Sequence, residues 1–171
     1  MYLKYPGGKF ACVKGTHIVS ASPHKVFELL IDNGRVHEYN SLAEPGTMRD
    51  IESISDDTKI KWVRAMPIFP FKTRDFCTLT HWRKLKDGTI AIISSATTHN
   101  NAPITNKYCR ASIVIGANII RPIVGHSNKC ELTMLTQLDP GGILPPVLVN
   151  QVCSSGPIGF FDGIESSLGQ Q

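Results

Sequence analysis

The C-terminal stretch Asp139–Leu168 constrains the fold most. It opens with a turn, Asp139-Pro140-Gly141-Gly142. It then runs through Leu144, Leu148 and Val152 to Phe160-Phe161, Ile164 and Leu168. The chain before it reads mostly as strand. A strand-rich chain closed by one apolar helix predicts an α+β fold, a curved antiparallel sheet wrapped around that helix. The space between the two is either solid core or a ligand cavity. On a regular helix, at about 100° per residue, Leu144, Leu148 and Val152 share one face. Phe161, Ile164 and Leu168 share another, nearly opposite, and Gly156-Pro157 lies between. An interior proline removes a ladder bond and crowds the preceding turn. The pattern therefore predicts two helical segments broken near Ser155–Pro157, with Gly156 and Pro157 as a candidate hinge or a static kink needed only for packing.

The preceding chain reads in order as strand, helix and meander. Phe10–Lys14 and Thr16–Ala21 are short strand patterns separated by Gly15. Ser22-Pro23 is a helix start, a hydroxyl at the N-cap with proline in the first turn. Val26, Phe27 and Leu30 supply an apolar face, and Asn33-Gly34 ends the helix. A short helical piece follows over Arg35–Tyr39. From Met48 the apolar period is two. Met48–Ser53 and Thr58–Met66 form a hairpin, then Thr73–Leu85 and Thr89–Thr98 pair across Lys86-Asp87-Gly88. Tyr108–Ile120 and Lys129–Leu138 complete a meander of strands joined mostly by short turns, which makes them antiparallel. In Thr58–Met66, Ile60, Trp62 and Met66 share a face. Arg64 falls on that side by parity, and Lys59 and Lys61 fall on the other.

At 171 residues the chain can bury the core of one domain. Its net charge of +4 is dispersed, with no basic run, and so points away from nucleic acid. The five cysteines, Cys12, Cys77, Cys109, Cys130 and Cys153, are odd in number and lack Cys-x-x-Cys spacing. They read as reduced thiols of a cytosolic protein, with neither a disulfide framework nor a metal site. No apolar run reaches the roughly 18–20 residues of a membrane span, and Met1-Tyr2-Leu3-Lys4-Tyr5-Pro6-Gly7-Gly8 lacks the apolar block of a signal peptide. No nucleophile elbow, phosphate loop or metal-ligand spacing marks an enzyme or a cofactor.

Three motifs in order carry a resemblance. They are Arg74-Asp75-Phe76, Tyr108-Cys109-Arg110, and Asp139-Pro140-Gly141-Gly142-Ile143-Leu144-Pro145 leading to Val149-Asn150. Together they resemble a START domain, the StAR-related lipid-transfer fold, across about Phe10–Leu168. The Pro-Gly-Gly form is most similar to the phosphatidylcholine-transfer branch. The chain departs from the family pattern in starting near the family's second strand. Residues 1–9 are expected as a tail, and residues 10–168 as a single domain lacking the usual first helix and strand. The family's Trp-Asp after the second helix is replaced by His37-Glu38-Tyr39-Asn40.

The resemblance implies a helix-grip architecture with one phospholipid, sterol or ceramide in an internal tunnel. It implies carriage between membranes by a monomer, cytoplasmic and peripheral to membranes, without covalent chemistry. It places Arg74 in the tunnel as a head-group ligand, with Asp57 as its nearest acidic match. By strand parity Arg64 is a second candidate inward cation, with a local twist or bulge that turns it outward as the alternative. Trp62, Phe76 and Tyr108 are candidate lining aromatics, with core packing as the competing role for each. Asn150 is a candidate head-group contact. The loop bearing Ile68, Phe69, Phe71 and Lys72 stands where the family has a lid, and its apolar tip suits a bilayer. Two other roles remain open, a lipid-sensing or scaffolding domain of a larger protein and a helix-grip enzyme.

Overall fold

The computed structural model describes residues 2–3, 10–144 and 146–169, with side chains over 10–144 and 156–169. The chain forms β1 (Tyr2–Leu3), β2 (Cys12–Val19), α1 (Pro23–Ile31), α2 (Val36–Tyr39), β3 (Arg49–Ser55), β4 (Thr58–Arg64), β5 (Arg74–Lys84), β6 (Ile90–Ala96), β7 (Cys109–Arg110), β8 (Ser112–Ile123), β9 (His126–Asp139) and α3 (Pro146–Gly169). The strands lie in the order β1-β2-β9-β8-β6-β5-β4-β3. β3 to β6 and then β8 and β9 follow one another as an antiparallel meander, as the turn residues predict. β2 then pairs along β9, so α1 and α2 must cross the sheet to reach β3.

Local chemistry sets several boundaries. Ser22 caps α1 by accepting a hydrogen bond from the Lys25 N–H, with Pro23 in the first turn. Tyr2–Leu3, expected in a tail, instead pairs with Cys12 and Val13, which satisfies backbone groups along β2. Gly15 does not divide two strands but lies inside β2. A Cβ there would stand 2.7 Å from the Phe161 ring and 3.5 Å from Pro157 Cβ. The missing side chain is a docking notch for α3. The expected strand Tyr108–Ile120 is two, because β7 pairs in parallel with the start of β5 before β8 turns into the meander.

The break predicted near Ser155–Pro157 is absent. α3 is one helix with Pro157 inside it. The lost donor is the one that would reach the Cys153 carbonyl. Packing on the sheet side offsets that loss. Pro157, Phe160, Phe161, Ile164 and Leu168 form one stripe at helical spacing, and Phe161 and Ile164 are buried in the core. Gly156 and Pro157 are therefore not a joint between two segments.

Gly163 sits where α3 crosses α2. A Cβ there would come within 2.6 Å of Tyr39 Cα. Helix propensity alone makes glycine-to-alanine favourable by about 1 kcal/mol. The backbone contact reverses the sign. Gly163→Ala is expected to destabilise the fold by about 1–3 kcal/mol in urea unfolding, and a stabilised variant would show that the crossing is looser than this.

The concave face of the sheet divides along its strands. Toward one end Val19, Ile90, Ile120, Leu132, Phe161 and Ile164 fill the space as solid core with Val26 and Leu29 of α1. Toward the other end the same face is hollow.

Candidate functional site

The hollow is a cavity of about 320 Å³ between the sheet, α2 and α3. That is the lower end of the range for small-molecule sites. Strand alternation decides what faces it. β5 contributes Phe76, Thr78 and Thr80; Ser94 comes from β6 and Asn118 from β8. Val13, Val63 and Met134 add apolar wall, and Gly156, Pro157 and Phe160 close it from α3. Core and cavity are thus both present, one after the other along α3.

The predicted site residues separate into groups. Phe76 lines the cavity. Trp62 lies on the opposite face of β4, packed against a small cluster of Ile60, Cys77 and Ala102. Its indole N–H donates to Asp75 Oδ2 at 2.9 Å, and its ring meets Tyr108 edge-on with centroids 6.1 Å apart. The face carrying Ile60 and Trp62 is therefore the outer one, which corrects the parity reading. Arg64 stands at the cavity wall, but its guanidinium turns to Glu44 at 2.6 Å and the Tyr108 hydroxyl at 3.3 Å. The Arg64 hydrogen bond in turn pulls the Tyr108 pKa below its ordinary value.

Arg74 is buried, at 7% exposure. It donates to the Lys72 carbonyl at 2.6 Å and the Pro140 carbonyl at 3.3 Å. In this structure it stitches the 65–73 loop to the turn before α3. Asp57 is not its partner. It lies in the β3–β4 turn beside His81, seven residues along β5 from Arg74, roughly 23 Å of strand. Asn150 falls in a part of α3 whose side chains are outside the described residues. Phe69 is 95% exposed, Ile68 and Phe71 are half-buried, and the Lys72 ammonium donates to the Asn106 carbonyl at 2.6 Å.

The Arg-Asp-Phe and Tyr-Cys-Arg motifs meet. Arg110 grips Asp75 with two parallel hydrogen bonds, 2.9 and 2.8 Å, and also donates to the Ala102 carbonyl at 3.0 Å. The hydrogen bonds to Asp75 raise the Arg110 pKa further. This pair pins the 97–108 loop over the outer face.

Sequence reasoning missed Lys61, which is 4% exposed and lies on the cavity wall. Its ammonium donates to Asn33 Oδ1 at 2.7 Å and the Ile31 carbonyl at 3.3 Å, with Asp50 at 3.7 Å. It thereby caps the end of α1. Burial pulls its pKa below the ordinary lysine value, and the Asp50 charge only partly opposes this. Burial pushes the Asp50 carboxyl up, but hydrogen bonds from Lys59 and Asn33 and the two lysine charges outweigh it and leave the pKa lowered. The alternation Lys-Ile-Lys-Trp-Val-Arg offered no sign of this, since each face of β4 carries both apolar and cationic residues. Asn118 was also missed. Its Oδ1 is sealed from solvent without a hydrogen-bond partner.

The START domain profile matches residues 8–171. The chain belongs to the START domain family. It is 25% identical over 169 residues to the StAR-related lipid transfer protein 5 of Bos taurus, covering 97% of this chain and 78% of that one. It is 26% identical over 138 residues to the mitochondrial steroidogenic acute regulatory protein of Gallus gallus, covering 79% of this chain. The match takes in only 48% of that longer protein. Among solved structures, human StAR-related lipid transfer protein 5 superimposes with a TM-score of 0.88 at 18% identity, covering 99% of this chain and 80% of that one. An aromatase/cyclase from Streptomyces superimposes at 0.59 and 13% identity, covering 92% and 93%, so the fold also hosts an enzyme. This START domain has the curved antiparallel sheet closed by a C-terminal helix that the motifs imply. Among the described residues no helix is long and apolar enough to cross a membrane.

Proposed function

We propose that this START domain binds one lipid in the cavity between its sheet and α3, and carries it between membranes as a cytoplasmic monomer. The cavity carries the reading, because a largely apolar hollow beneath a helix is costly for a protein that has no ligand to place there. The names of the matched relatives, two of them lipid-transfer proteins, support it.

The membrane contact is assigned to one end of the molecule. Phe69 is 95% exposed, Ile143 91% and Ile104 70%. Their three loops are tied together through Lys72 and Arg74. Solvated apolar tips with lysines beside them suit an interface where the rings enter the acyl region and the ammonium groups stay at the head groups. Catalysis is not part of the proposal. The cations at the cavity wall, Lys61 and Arg64, lie against Asp50 and Glu44, and Asp50 is also bound by Lys59, so neither carboxylate is left open to serve as an acid or base.

Native mass spectrometry of the protein purified from cells, followed by vesicle-to-vesicle exchange, tests the reading. One lipid per chain and measurable exchange are expected. A chain that arrives empty and takes up neither sterol, phosphatidylcholine nor ceramide overturns it. Stoichiometric lipid with no exchange would instead favour a lipid-sensing domain.

A further inference from the structure

A stripe of uncharged polar side chains crosses the floor of the cavity. Thr78 and Thr80 lie on β5, Ser94 on β6, Asn118 on β8 and Thr136 on β9. On the same face stand the apolar Ile92, Ile120 and Leu132, and also Lys61, opposite Thr78, whose ammonium turns to Asn33 and the Ile31 carbonyl. Thr80 Oγ1 and Ser94 Oγ are 3.0 Å apart. In such a pair one hydroxyl donates to the other, and the second keeps its own hydrogen for a further acceptor. Ser94 stands opposite Gly116, and Ile92 opposite Asn118. Ser94 and Asn118 are thus diagonal neighbours, roughly 7–8 Å apart, with no side chain at Gly116 and Ile113 Cγ2 standing 3.2 Å from where its Cβ would be. Asn118 Oδ1 is an acceptor without a partner. Its terminal torsion is soft, so rotation brings either amide atom to the cavity.

Resting on the lipid-carrier reading, we propose that Asn118 and the Thr80–Ser94 pair form the head-group site, and that it takes an uncharged lipid alcohol. An alcohol oxygen donates one hydrogen and accepts another. The site offers one acceptor, the Asn118 amide, and one spare donor, the hydroxyl hydrogen left by the Thr80–Ser94 pair. A phosphate fits it poorly. The cation the family resemblance nominates for that task, Arg74, gives Nε and Nη1 to the carbonyls of Pro140 and Lys72 and does not line this cavity. Lys61 is engaged with Asn33, Ile31 and Asp50, and Arg64 with Glu44, though one donor of Arg64, Nε, has no partner. A phosphate on the floor of the cavity would lie against hydroxyls and one amide, with the nearby Lys61 ammonium already donating to Asn33 Oδ1 and the Ile31 carbonyl, which is unfavourable in a low-dielectric site.

The test measures equilibrium binding of cholesterol, a ceramide and dioleoylglycerol, each beside its O-methylated counterpart, and of dioleoylphosphatidylcholine. At least one alcohol is expected to bind roughly ten- to a hundred-fold more tightly than its ether. Asn118→Leu is expected to bring that ratio to within about two-fold. It should also leave the empty protein as stable or more so, because a buried acceptor without a partner has been removed. Equal binding of every alcohol and its ether overturns the proposal, as does an unchanged ratio in Asn118→Leu. The ether comparison on the native protein decides the matter if the variant does not fold. Binding of phosphatidylcholine alone defeats the head-group assignment and leaves the carrier reading standing. Binding of none of the lipids defeats both.

Discussion

Asp75→Ala is expected to lower the unfolding free energy by about 3–5 kcal/mol, read by urea denaturation at neutral pH. The side chains of Asp75 and Arg110 are 5% and 12% exposed, so water replaces little of what is lost. Asp75 also accepts from the Trp62 indole. Removing it strands a guanidinium and an indole N–H together. The effect reaches beyond the pair, because Asp75 and Arg110 stand opposite each other where β7 pairs with β5. Their separation would release the 97–108 loop and expose Ala102 and the outer cluster. Arg110→Met added to Asp75→Ala should cost much less than Arg110→Met alone, the signature of a coupled pair. A loss below about 1 kcal/mol would mean that the bridge behaves as a solvated surface pair.

The double variant Phe69→Asp, Ile143→Asp is expected to weaken binding to anionic vesicles by roughly a hundred-fold or more. Each large apolar side chain contributes about 1.5–3 kcal/mol when it leaves water, and the two together span at least two decades. Because both side chains are almost fully solvated in the protein, urea unfolding should be unchanged. That separates a membrane role from a folding one. Vesicle sedimentation equal to that of the native chain would remove this end of the molecule from membrane contact, leaving the cavity itself unaffected.

Much of the fold was legible locally. Ser22-Pro23 starts α1, Lys86-Asp87-Gly88 turns β5 into β6, and the alternation of β3 to β9 yields the meander, because caps, turns and period-two patterns act over a few residues. Which face of a strand turns inward is not such a property. On β4 the sequence places Ile60 and Trp62 together and Lys61 with Val63, and either set can serve as an inner face. The 97–108 loop decides it, covering Ile60 and Trp62 from outside and leaving Lys61 to the cavity wall and the end of α1. Arg74 illustrates the same limit. Its burial is readable from an apolar neighbourhood, but its partners are backbone carbonyls, and no side-chain pattern announces a carbonyl.

The closing helix was readable as the element that covers the sheet, and its proline as an irregularity. By itself the sequence determined that an apolar helix ends a strand-rich chain, and that three motifs fall in the START order. Only the tertiary structure decided that this helix is continuous. Gly15 and Gly163 let it settle against β2 and α2, and the close packing there outweighs the one hydrogen bond that Pro157 removes. Tertiary packing also decided where the core stops and the cavity begins. That boundary depends on which side chains from six strands and three helices meet, and no single stretch of the chain contains it.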